Sequence, residues 1–224
     1  MEKRINPHTM YILRGVPGSG KSTLKSIIMG KGQEEDFKWF EADSYMIDNN
    51  GNYKFDRNKL SEAHKKCFIG ALRAACTGCY DIIISNCSIE PWEYYKYLRL
   101  ANVFKMNVQI ISIDSTFNSI HTDDPKVIDN MLYKWLTASS PREALNTVDV
   151  LTPELLTLDD RWDYLKLICK QEGFDLEDNT PYNLVSTYKE EFKNTYNQLL
   201  QEEDKEHVAT QYSVITGNDI NTTT

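Results

Sequence analysis

The residues best suited to chemistry lie near the start of the chain. Gly15-Val16-Pro17-Gly18-Ser19-Gly20-Lys21-Ser22-Thr23 fits the spacing G-x-x-x-x-G-K-[ST]. Glycines at these positions let the backbone turn tightly, so that successive N–H groups face phosphate oxygens. The lysine then reaches the β- and γ-phosphates, and the hydroxyl after it ligates Mg²⁺. Gly15, Pro17, Gly18, Ser19, Gly20, Lys21, Ser22 and Thr23 are therefore the candidate ATP-binding residues. Lys21 also has a catalytic role, and Ser22 is the candidate Mg²⁺ ligand. The plainer alternative is a glycine-rich turn with no ligand.

A loop of this kind binds a nucleoside triphosphate but does not name the reaction. Transfer to a hydroxyl needs a carboxylate that orients the acceptor and takes its proton. Asp43 follows an apolar run at residues 37–42 and is the candidate general base. An aspartate there would also serve as a helix N-cap.

These groups require elements to hold them. Residues 9–14 read as a buried strand and residues 22–29 as a helix, which is the strand–loop–helix setting the motif demands. Further strands are expected at 37–42, 80–85 and 108–113. Asp56 should cap a helix running to about residue 77, with Gly78 as its stop. Pro91 opens a helix to about residue 104, and Asp124-Pro125 one to about 136. The alternation predicts an α/β fold, a P-loop NTPase-type parallel sheet flanked by helices. Ligands in such sheets bind beyond the C-terminal strand ends. After residue 140, helices are expected at about 152–170 and 182–206. A strand at 212–215 and a loose polar end follow.

Composition divides the chain at the same place. Residues 1–140 hold 18 Lys/Arg and 16 Asp/Glu, net +2; residues 141–224 hold 7 and 17, net −10; together these give the −8 of the whole chain. The expected organisation is a P-loop kinase domain over 1–140 and an acidic, mainly helical extension over 141–224. A polyanion would avoid the extension, which is instead a place for a protein partner. No apolar run is long enough to span a membrane, and residues 1–8 lack the apolar stretch of a signal peptide. Five cysteines, an odd number, fit reduced thiols in a cytoplasmic protein.

Several motifs fall in one collinear order: the loop with Arg14 before it, Ala42-Asp43, Gly51-x-Tyr53-x-Phe55-Asp56, Ala63-His64-x-x-Cys67, Ile82-Ile83-Ile84-Ser85-Asn86-Cys87 and Trp92-Glu93. This pattern, over about residues 9–136, resembles the polynucleotide-kinase-like P-loop kinases. That family includes bacteriophage 5′-hydroxyl polynucleotide kinases and animal proteins that join the module to ubiquitin-ligase-binding regions. The resemblance implies ATP and Mg²⁺ as cofactors, Asp43 as general base, and a nucleic-acid or nucleotide hydroxyl as acceptor. A hydroxyl on a modified DNA base, as in some viral relatives, is a related acceptor. It also marks departures. The second acid after the second strand is Ser44 here, and the Asp/Asn-Thr-Asn triplet is Asn86-Cys87-Ser88. Asn118 stands where a lid arginine is expected, and no arginine occurs between Arg99 and Arg142. Since such an arginine contributes about 10³-fold or more in rate, the alternative is an ATP-binding interaction module without efficient catalysis. His121, Lys126 and Arg142 are candidates to compensate.

Other residues have plainer readings. Cys76-Thr77-Gly78-Cys79 lacks a second pair at zinc spacing and reads as structural thiols. His64 is either a packed histidine or, by the resemblance, a substrate-side one. Lys54, Arg57, Lys59, Lys65, Lys66 and Arg73 form a solvated helix face or a phosphate track. Trp92, Tyr94, Tyr95 and Tyr97 pack a helix or stack bases.

Overall fold

The structure is a computed structural model that describes residues 8–48, 50–114, 124–142, 158–176, 190, 193–194 and 212–215. Its centre is a five-stranded sheet of β1 (Thr9–Arg14), β2 (Phe37–Phe40), β3 (Asp81–Ile84), β4 (Asn107–Ser112) and β5 (Tyr212–Ile215), in the order β2-β3-β1-β4-β5. Every neighbouring pair is parallel. The first strand to be made thus lies in the middle, and the loop after it opens between two strand ends.

The alternation of apolar residues along the strands separates two buried faces. Met10, Ile12, Ile82, Ile84, Val108 and Ile110 pack with α2 (Leu60–Thr77), α3 (Pro91–Val103) and α5 (Leu158–Gln171). Leu13, Ile83 and Ile111 pack with Ile28 and Leu24 of α1 (Lys21–Met29) on the other side. The fourth helix, α4 (Pro125–Thr137), starts after Asp124, whose side chain accepts from the Lys126 N–H at 3.0 Å. This is the cap that the Asp-Pro pair predicts.

Two boundaries differ from the sequence expectation. Strand β2 stops at Phe40 because the chain then turns into a short 3-10 segment, Ala42–Tyr45. The Ala42 N–H is taken there by the Asn86 side-chain oxygen at 2.8 Å rather than by a ladder partner. Asp56 does act as a cap, but of a 3-10 turn at Arg57–Lys59, after which α2 begins.

The shift in charge at residue 140 is not a break in packing. Trp162, Leu165, Ile168, Cys169, Phe174 and Leu176 are buried in the same cluster as α2 and α3. Arg161 donates to the Asn102 and Val103 carbonyls at 2.9 and 3.0 Å, satisfying the C-terminal end of α3. Strand β5 pairs with β4 from Val108 to Ile111. Composition reports which residues meet solvent, so an acidic outer face hides an apolar inner one. The helix expected at 182–206 and the polar end lie outside the described residues. Among those described, no helix is long and apolar enough to cross a membrane.

Candidate functional site

Strand β1 delivers the glycine loop to the C-terminal edge of the sheet. A Cβ on Gly15 would collide with the Ser19 hydroxyl and lie 3.0 Å from the Ile113 carbonyl. No larger residue fits that position. Gly18 and Gly20 take left-handed φ of 78° and 98°, which side chains disfavour. Gly20 is the N-cap of α1 and offers no side chain, so no capping side chain takes the first-turn N–H groups. Lys21 folds back over the loop and donates to the Gly15 and Val16 carbonyls at 2.8 and 2.9 Å. Ser19 is buried, while Ser22 and Thr23 are exposed at the start of α1.

Two neighbouring residues fix this loop to the rest of the edge. The Gly15 N–H donates to the Cys87 carbonyl at 2.9 Å, joining it to the turn after β3. Arg14, the last residue of β1, is buried and donates to the Ser88 and Ile89 carbonyls at 2.8 and 2.6 Å and to the Ser112 hydroxyl at 3.2 Å. Its guanidinium lies 5.1 Å from the Tyr94 ring centre and 5.0 Å from that of Trp135. Arg14 therefore ties β1 to the ends of β3 and β4 and to helices α3 and α4. Burial lowers its pKa, with Tyr94 and the carboxylates of Glu93, Asp114 and Glu90 acting against that shift.

Asp43 sits in the 3-10 turn after β2. That turn is positioned by Asn86, which accepts from Ala42 and donates to the Cys67 thiol at 3.5 Å. Tyr53 donates to the Asp43 carboxylate at 3.5 Å. Burial, and then the Asp43 charge, push the Tyr53 phenol up to about 12, so it stays a donor. His64 on α2 also feels Asp43. Burial and then Lys96 lower its pKa, against Asp43 and Glu172. The Cys87 thiol is raised by burial, lowered by Lys21 and raised by Asp43.

A second carboxylate is present that the sequence analysis does not single out. Glu41 accepts from the Ser85 hydroxyl at 2.8 Å and from Ser44 at 3.3 Å, with the Lys25 ammonium 4.0 Å away. Its signal in the sequence is a second acid two residues before Asp43, just past the end of β2.

The remaining candidates divide. Tyr94 and Tyr97 are fully buried, so they pack α3 and cannot stack bases, whereas Trp92 is 69% exposed. Tyr95 is half-buried. Lys65 is tied to the Gly173 carbonyl at 2.6 Å. Lys54, Arg57, Lys59, Lys66 and Arg73 are exposed. Cys76 is buried and Cys79 exposed, and no group of three metal-ligating side chains occurs among the described residues. Lys126 and Arg142 are exposed on or after α4. Asn118 and His121 lie outside the described residues.

No protein-family model matches the chain. Among curated proteins, NEDD4-binding protein 2 of Homo sapiens is 35% identical over 101 residues, 44% of this chain. The chain spans about 5% of the length of that relative.

Proposed function

We propose that this chain is an ATP-dependent phosphotransferase of the polynucleotide-kinase-like class, moving the γ-phosphoryl group to a hydroxyl. The observation that carries the reading is that the turn after β3 holds both parts: the Cys87 carbonyl takes the Gly15 N–H of the loop at 2.9 Å, and the Asn86 side chain takes the Ala42 N–H beside Asp43 at 2.8 Å. A phosphate loop and a carboxylate meet at one strand-end edge, as transfer requires.

The loop fits a triphosphate. The Gly15 position admits no side chain, the first turn of α1 has no side-chain cap, and Lys21 exchanges its two carbonyl partners for phosphate oxygens. Ser22 presents a hydroxyl suited to Mg²⁺, which when bound neutralises phosphate charge. Asp43 accepts the acceptor hydroxyl's hydrogen bond and takes its proton as that oxygen bonds to the γ-phosphorus. The bond from that phosphorus to the bridging oxygen breaks, and ADP leaves. Tyr53 holds the Asp43 carboxylate in place.

A nucleic-acid or nucleotide hydroxyl is the proposed acceptor. The exposed Lys54, Arg57, Lys59 and Lys66 support it, since they line the approach to the helix that carries His64. A reducing, cytoplasmic setting is part of the proposal, and five cysteines without a disulfide support it. The test is transfer of label from γ-labelled ATP to a panel of 5′-hydroxyl DNA, 5′-hydroxyl RNA, modified-base DNA and nucleotides.

A second reading is an ATP-binding interaction module with weak or no turnover. The lack of any arginine between Arg99 and Arg142 favours it. So does the name of the similar human protein, which states that it binds NEDD4. ATP binding without transfer to any acceptor would select this reading.

A further inference from the structure

P-loop phosphotransferases hold Mg²⁺ with the loop hydroxyl and a nearby acid. Strand β3, the neighbour of β1 on one side, runs out at its C-terminal end into Ile84-Ser85-Asn86 and carries no acid there, its only carboxylate, Asp81, lying at the opposite end. Resting on the function proposed above, we infer that Glu41, the residue just after β2, supplies that carboxylate to the hydration shell of Mg²⁺·ATP.

The carboxylate is built into place. Ser85 donates to one oxygen at 2.8 Å and Ser44 to the other at 3.3 Å. Ser85 is itself buried, and its N–H donates to the Phe40 carbonyl at 3.1 Å. Two hydroxyl donors leave roughly half of a carboxylate's four acceptor positions for other protons. The Glu41 side chain is 24% exposed, so solvent and ligand reach it. Lys25, 4.0 Å away, places the carboxylate beside α1, on the helix face that also carries Ser22 three residues earlier. Mg²⁺ keeps several of its waters when bound to phosphates, and those waters need acceptors.

A plain ion pair with Lys25 is the competing account. At 4.0 Å it is at the limit of contact, and the Lys25 ammonium is stacked 3.6 Å from the centre of the Trp39 ring. Lys25 therefore has a partner that does not involve Glu41, while both oxygens of Glu41 are oriented by hydroxyls.

The test compares ATP affinity by calorimetry with Mg²⁺ and with EDTA. Wild type should bind more tightly with Mg²⁺. Glu41→Gln should lose about tenfold of that Mg²⁺ gain, the scale of outer-shell ligand losses, while its affinity in EDTA holds or rises. Lys25→Ala should keep the gain. A Glu41→Gln protein with the full Mg²⁺ gain, or loss of the gain in Lys25→Ala, overturns the assignment while leaving ATP binding intact. If Glu41→Gln does not fold, Ser85→Ala replaces it. That variant frees the carboxylate and should lose several-fold of the gain, and an undiminished gain again overturns the inference. Failure of wild type to bind ATP in either condition overturns both this role and the function on which it rests.

Discussion

The Gly15 N–H is bonded to the Cys87 carbonyl at 2.9 Å, so the phosphate loop and the turn after β3 move as one piece. Asn86, the residue before Cys87, holds the Ala42 N–H at 2.8 Å and with it the turn that carries Asp43. Three neighbouring strand ends are thereby coupled through one backbone hydrogen bond and one from backbone to side chain. Geometry fixed before a ligand arrives does not have to be ordered during the reaction.

The loop lysine is the first test of this arrangement. Lys21→Met keeps the aliphatic stem and removes the charge that Gly15 and Val16 now hold. Hydrogen bonds to charged groups contribute about 1.5–3 kcal/mol, so ATP affinity should fall by roughly tenfold to a hundredfold. Calorimetric titration with ATP reads this directly, and unchanged affinity would remove Lys21 from the site.

Arg14 should matter for stability more than any other residue next to the loop. Arg14→Met leaves the Ser88 and Ile89 carbonyls without their donor in a buried place. Breaking a buried charged network by removing one partner costs about 3–5 kcal/mol. Arg14→Lys restores charge but not the planar fork, and should recover only part of the loss. Denaturant midpoints at neutral pH check the order wild type, then Lys, then Met.

Lys105 is a position where a smaller residue should help. It follows α3 with φ of 51°, a left-handed conformation that costs a side chain about 1–2 kcal/mol. Burial, and then Arg161, lower its pKa from 10.5 to about 8. The folded pKa lies below the unfolded one, so the stability linked to the neutral amine is full above 10.5. It is lost as pH falls towards 8. Lys105→Gly should raise stability at pH 7 by about 1 kcal/mol. It should also remove a rise in wild-type stability between pH 8 and 10.5, followed by thermal melts across that range.

Much of this architecture is legible in the sequence because its local signals agree. The strand at 9–14, the glycine loop, the helix opened by Pro91 and the cap at Asp124 all appear where residue chemistry puts them. In the C-terminal part the helix ending near 170 and the strand at 212–215 are legible, but not where the helix packs. Its acidic residues suggest a separate extension, but Leu165 and Cys169 of α5 are fully buried against the core. Residues 158–176 pack on elements some 60 to 100 positions earlier, and no local pattern reports such contacts. The roles of Glu41 and Asn86 depend on the β2–β3 pairing, which places residue 41 against residue 85. The tyrosines of α3 illustrate the opposite error. Their spacing allows an exposed stacking surface, yet the helix turns Tyr94 and Tyr97 inward and leaves Trp92 outside.

The proposed transfer reaction depends most directly on Asp43. Asp43→Asn preserves shape and removes the proton acceptor, while the phosphate loop is left untouched. Transfer from γ-labelled ATP to the best acceptor should fall by about 10²-fold or more, with ATP affinity nearly unchanged. An Asp43→Asn protein that transfers phosphate at the wild-type rate would contradict the account and leave Asp43 as a turn residue alone.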